Sequence, residues 1–116
     1  MSRPPVLSDL DLAKIRRYIA VRVPDHMAGQ IRLELTVRGK SVTIVERRPP
    51  WRADVGPEWS SLAVAEFRFD PTGARWTLHW RDHNARWHRY DWIEPSPTIE
   101  PLLAELERDP TAIFWG

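Results

Sequence analysis

The chain has 116 residues, 42% hydrophobic and 28% charged; these are the proportions of one globular domain, residues 1–116, and not of a disordered or fibrous chain. It has no cysteine, which excludes disulfides, thiolate metal sites and thiol chemistry. The formal net charge of +1 lacks the cation excess on which non-specific DNA binding rests, and no apolar run approaches the ~18 residues of a membrane span.

The start, Met1-Ser2-Arg3-Pro4-Pro5, carries no apolar leader, so a cytoplasmic protein with no membrane partner is expected. Ser8 is placed to cap a first helix, with Asp11 as the reciprocal partner and Leu7 and Leu12 as the staple around the cap. Leu12, Ile15, Ile19 and Val23 recur at helical spacing, and Pro24 stops the helix. Ile31, Leu33, Leu35 and Val37 then alternate with Arg32, Glu34, Thr36 and Arg38, the pattern of a half-buried strand. Gly39-Lys40 makes a two-residue turn. A return strand pairs Val37 with Val42 and Leu35 with Ile44, which keeps both apolar sets on one side. Pro49 and Pro50 cannot continue a central ladder, so a long ordered loop carrying Trp51, Arg52 and Trp59 is predicted.

A third strand is predicted over 62–69, with Ala65, Phe67 and Phe69 on one face, then a turn at Asp70-Pro71-Thr72-Gly73. A fourth strand over 75–81 turns Trp76, Leu78 and Trp80 inward, and a fifth runs over 86–92. Ile99, Leu102, Leu103 and Leu106 mark a second helix over 98–108, ended by Asp109-Pro110. The closing Ile113-Phe114-Trp115 is expected to dock on the core, because three large apolar side chains are costly to leave in water. The expected architecture is α+β: a five-stranded antiparallel meander sheet with the N-terminal and C-terminal helices packed on one face. The other face is left open to solvent or a partner.

Four histidines raise the question of a metal or acid–base site: His26, His79, His83 and His88. A three-residue loop at His83-Asn84-Ala85 pairs Trp80 with His88, Leu78 with Tyr90 and Trp76 with Trp92, which gathers the bulky residues. The same register pairs Arg81 with Trp87 and His79 with Arg89 on the opposite face. It separates His79 from His88, making a shared metal improbable, with His88 expected in the core and His79 within diagonal reach of Asp91. No nucleophile elbow, phosphate-binding glycine loop or zinc-binding helix motif is present, so no catalytic residue, cofactor or metal ligand is assigned. The acidic clusters Asp9/Asp11 and Glu105/Glu107 read as solvated faces.

Of the seventeen cations only Lys14 and Lys40 are lysine. Arginine forks onto carboxylate or phosphate and stacks on aromatic rings, which lysine does poorly. The outward strand positions hold Arg32, Arg38, Arg47, Arg68, Arg75, Arg81 and Arg89, with His79 and Trp87 among them, against Glu34, Glu66 and Asp91. Such a face suits an acidic protein partner, a homodimer or single-stranded nucleic acid, or it serves solubility alone. A second candidate is the loop of Pro49, Pro50, Trp51, Arg52 and Trp59, as an interaction segment or as one wall of a small-molecule pocket against the sheet.

The string Val-Thr-Ile-Val-Glu-Arg-Arg-Pro-Pro-Trp-Arg from Val42 to Arg52 is distinctive. So are Arg75-Trp76-Thr77-Leu78-His79-Trp80-Arg81-Asp82, Arg86-Trp87-His88-Arg89-Tyr90, and Asp109-Pro110-Thr111 with Ile113-Phe114-Trp115-Gly116. Together they resemble a bacterial family of small proteins known as the domain of unknown function numbered 3024. The resemblance implies a stand-alone bacterial protein and brings no activity, cofactor or catalytic residue. Where the family commonly has an Asn-Gly turn, this chain has Asn84-Ala85, whose β-carbon sits less easily at positive φ.

Overall fold

The computed structural model describes residues 7–27, 29–50 and 58–115. Helix α1 (Asp9–Arg22) leads to a single 3-10 turn (Asp25–Met27) and then to strands β1 (Arg32–Arg38), β2 (Ser41–Arg48), β3 (Ser60–Asp70), β4 (Arg75–Arg81) and β5 (Trp87–Arg89). Helix α2 (Glu100–Arg108) follows. The strands form one antiparallel sheet in the order β1-β2-β3-β4-β5, a meander with β1 and β5 at its edges.

Helix α1 starts where its cap allows. The Ser8 hydroxyl accepts the amides of Leu10 at 3.2 Å and Asp11 at 3.4 Å, satisfying two of the orphan donors of a first turn. Asp11 does not return the favour. Its carboxylate accepts the indole N–H of Trp76 at 3.2 Å instead, giving the fully buried Trp76 its polar partner. Ile15 and Ile19 face the sheet.

The β1–β2 hairpin has the expected register, Val37 opposite Val42 and Leu35 opposite Ile44. Gly39 takes φ +55°, a conformation that costs glycine little. Strand β3 runs past the expected 62–69 at both ends. It also carries a bulge: Ile44 faces Ala65 but Val45 faces Ala63. The extra residue, Val64, is buried beside Ala65, so the simple alternation of this strand breaks there.

The β4–β5 register is the predicted one, with Trp80 opposite His88, Arg81 opposite Trp87 and His79 opposite Arg89. The expected length of β5 is corrected. It stops at Arg89, and Trp92 lies in a turn with 77% of its surface exposed, not opposite Trp76. Ser96 takes that place, exchanging backbone bonds with Trp76 at 2.6 and 3.0 Å. Tyr90 closes the pairing with its amide on Leu78. Pro95 and Pro97 flank Ser96, so only this one residue can pair between them.

Helix α2 begins at Glu100, two residues later than predicted, because the Thr98-Ile99 turn precedes it. Asp109 ends it at φ 39°. The Asp109 carboxylate then accepts the amides of Phe114 at 3.1 Å and Trp115 at 2.8 Å. That loop returns the tail to the core, where the Phe114 ring lies 5.2 Å from Tyr90. The expected docking of the tail is therefore observed, and burying Phe114 stabilises the fold by roughly 1.5–3 kcal/mol.

The core joins Ile15 and Ile19 of α1, Leu102, Leu103 and Leu106 of α2, and Val42, Ile44, Ala65, Phe67, Trp76 and Leu78 of the sheet. Both helices thus cover one face, called the inner face below. No described helix is long and apolar enough to cross a membrane.

Candidate functional site: the outer face of the sheet

The strand registers fix the outer face row by row. Asp70 stands opposite Arg75 at one end. The next row is Arg38–Ser41–Arg68–Thr77, followed by Thr36–Thr43–Glu66–His79–Arg89 across all five strands. Beyond these lie Glu34–Val45–Ala63 with Arg81–Trp87, and last Arg32–Arg47–Ser61. All seven predicted arginines belong to this face. Asp70 raises the opposing carboxylates to four, one more than the sequence pattern counted.

Three of the arginines are occupied. Arg68 pairs with Glu66, Arg89 with Asp91 at 3.8 Å, and Arg47 with Glu34 at 3.4 Å. Arg47 Nε is buried and has no hydrogen-bond partner among the described residues, so its hold rests on that one long contact. Two more arginines lie on indoles. The Arg81 guanidinium is 5.8 Å from the Trp87 ring and that of Arg32 is 4.1 Å from the Trp59 ring, the shorter being a good cation–π distance. Arg38 and Arg75 are exposed and enter no ion pair among the described residues. The four arginines that enter no ion pair among the described residues, Arg32, Arg38, Arg75 and Arg81, therefore stand towards the corners of the face, Arg75 with Asp70 opposite it. Its centre is neutral: Thr36, Thr43, Val45, Ala63, Thr77 and His79, with the Arg68–Glu66 pair.

His79, expected within diagonal reach of Asp91, is hydrogen-bonded to Thr77 instead. It is outward by register yet only 7% exposed, and its Nε2 shares a 2.8 Å hydrogen bond with Thr77 Oγ1. Burial, with Arg68 close by, lowers its pKa to about 4, so at neutral pH it adds no charge to the face. His88 corrects the expectation of a core histidine. It lies exposed at the β5 edge, stacked on Trp80 with ring centroids 4.6 Å apart, and shares a 2.6 Å hydrogen bond with Asp82 Oδ2. That bond, first, and the Arg86 amide lower the Asp82 pKa to about 2. Neither helix reaches this edge, which is why facing inward does not bury His88. Among the described residues no cluster of three or more metal-ligating side chains is found.

Of the loop candidates, Pro49 and Pro50 are half-buried, and Trp59 is half-buried against Arg32. Trp51 and Arg52 lie outside the described residues, and with them the pocket imagined beside that loop. The acidic residues of α2 are not simply solvated. Glu105 accepts the Tyr90 hydroxyl at 2.7 Å; burial, with this bond, pushes the Tyr90 pKa up to about 12. Glu107 accepts the Tyr18 hydroxyl at 2.9 Å.

The inner side holds a concavity that the sequence did not announce. A cleft of about 710 Å³ lies between the end of α1, the far ends of β1 and β2, Glu107 and Trp115. Its signal was present only as scattered residues, since Tyr18, Arg48 and Trp115 are far apart in the chain and share no motif.

Among curated proteins and among solved structures, none matches the chain significantly. A family model does, over residues 3–116. The strand motifs that build both faces of the sheet fall inside that match, and the chain belongs to the family described as a domain of unknown function (DUF3024).

Proposed function

We propose that this protein is a non-enzymatic interaction module whose outer sheet face binds an acidic protein partner. The observation that carries this reading is the distribution of charge on the face. A neutral, small-residue centre is bordered by four arginines that enter no ion pair among the described residues and by two indoles. Protein interfaces are built in this way, depleted of charge at the centre and polar at the rim, with arginine and tryptophan as frequent anchors. A nucleic-acid strand calls instead for a continuous cationic track with several stacking rings. A second copy of the chain would set like-charged corners against each other, because the carboxylates Glu34, Glu66 and Asp91 are already engaged and Asp70 is set opposite an arginine of its own face.

The size of the face bears on affinity. Five strands about 4.8 Å apart and five rows about 6.8 Å apart span roughly 500 Å². A standard interface buries about 800 Å² per partner. The reading is therefore of a transient complex, steered by charge and sensitive to salt. The setting proposed for this encounter is the bacterial cytoplasm.

The test is affinity capture from nuclease-treated lysate with the wild-type protein and with a variant carrying Arg32→Gln, Arg38→Gln, Arg75→Gln and Arg81→Gln. An acidic protein held by the wild type, lost by the variant and rebinding in purified form with a steep salt dependence supports the reading. Equal capture by both proteins, or retention only of single-stranded nucleic acid before nuclease treatment, overturns it.

A further inference from the structure

The inner cleft is a separate site on the far side of the sheet from the arginine corners. Its apolar floor is Val23, Ile31 and Leu33, and its volume of about 710 Å³ falls in the range of small-molecule sites. One wall is fixed in place. The Trp115 indole N–H donates to the Leu106 carbonyl at 3.1 Å, and the Arg22 guanidinium covers the ring at 3.7 Å.

Two ion pairs flank the floor, and they are exposed in opposite senses. In the pair on the helix side, Arg22 is 26% exposed and Glu107 57%. In the pair on the β2 side, Arg48 is 58% exposed and Glu46 17%. The cleft thus offers a carboxylate from one wall and a guanidinium from the other, each held by a less exposed partner. The atoms engaged are equally informative. Tyr18 and Arg22 both donate to Oε1 of Glu107, which leaves Oε2 without a partner among the described residues. Arg48 uses only its Nε, at 2.6 Å from Glu46; both terminal nitrogens lack a partner among the described residues. A free carboxylate oxygen accepts an ammonium, and a guanidinium fork takes a carboxylate through two parallel bonds.

From this arrangement we infer that the cleft binds a small zwitterion with an apolar body, of the chemistry of a short hydrophobic peptide with free ends. The amino end meets Glu107 Oε2, the carboxylate meets the terminal nitrogens of Arg48, and the side chains cover Leu33 and Trp115. A simple anion would face Glu46 and Glu107, and a simple cation would face Arg22 and Arg48. Only a ligand carrying both charges meets a complement at each end.

The test is a titration of the full chain, followed by the Trp115 indole resonance, with three probes: the free dipeptide leucyl-leucine, its N-acetyl form and its C-terminal amide. The free dipeptide is expected to move the Trp115 signal, and blocking either end to weaken binding roughly ten-fold. In the exposed variant Arg48→Gln, the free dipeptide and its amide bind alike, while the N-acetyl form is weaker still. Equal affinity for all three probes, no response of Trp115 up to about 10 mM, or an Arg48→Gln variant that still distinguishes the free acid from the amide would each overturn the assignment.

Discussion

At the scale of the residue, His79 shows how a neutral group can be built into an arginine-rich surface. Its folded pKa of about 4 lies below the ordinary 6.5 because burial, and then Arg68, disfavour the imidazolium. The unfolded chain therefore binds a proton between pH 6.5 and 4 that the folded chain refuses. The group leaves stability unchanged above about pH 6.5 and lowers it as the pH drops towards 4, by about 3 kcal/mol for the full shift. Replacing His79→Gln is expected to flatten the dependence of the urea midpoint on pH across that window, measured at pH 7 and pH 4.5; an unchanged slope would show that His79 does not cause it. Strand alternation alone identified the face of His79. It did not identify its burial, which depends on its position in the middle of a row between Glu66 and Arg89. Ala85 is the converse case, where the length of the loop was legible and its backbone conformation was left open. The chain has alanine at φ 64°, a conformation that disfavours a β-carbon by about 1 kcal/mol. Ala85→Gly is expected to raise stability by roughly 0.5 kcal/mol, partly offset by glycine's freedom in the unfolded chain; a lower thermal midpoint would contradict the strain.

At the scale of the element, hairpin registers were readable and element ends were not. Val37 opposite Val42 and Trp80 opposite His88 follow from keeping bulky apolar residues together. The bulge at Val64 left no mark, since alanine and valine fit either side of it. Trp92 looked like core because a tryptophan near a strand usually is; the pairing of Ser96 with Trp76 displaces it. The polar tie between helix and sheet was also hidden, because its two residues are distant in sequence. The bond from Trp76 Nε1 to Asp11 ties β4 to the first turn of α1. Asp11→Ala leaves a buried indole N–H without an acceptor, and a loss of about 1–3 kcal/mol is expected from the denaturant midpoint. Asp11→Asn, which keeps an acceptor oxygen, is expected to lose less. Equal losses in the two variants would assign the effect to the helix end and not to the tie.

At the scale of the whole molecule, the two helices leave one sheet face uncovered by either of them, and that division was visible in the alternation of β1, β4 and the first half of β2. The composition of the open face was visible as well. Its arrangement was not, because which arginines keep a carboxylate is decided by cross-strand neighbours: Glu34 with Arg47, Glu66 with Arg68. The cleft beyond Trp115 was invisible for the same reason, being assembled from α1, β2, α2 and the tail. The proposed role of the arginine corners is to make the outer face a receptor for acidic protein surface. Amide and indole chemical-shift mapping with a ten-residue polyglutamate peptide tests it most directly. Shifts are expected to be confined to outer-face positions such as Thr36, Thr43, His79 and the indoles of Trp59 and Trp87, and to be abolished by the four arginine substitutions and by high salt. Shifts centred on Tyr18, Arg48 and Trp115, or none at low salt, would contradict it.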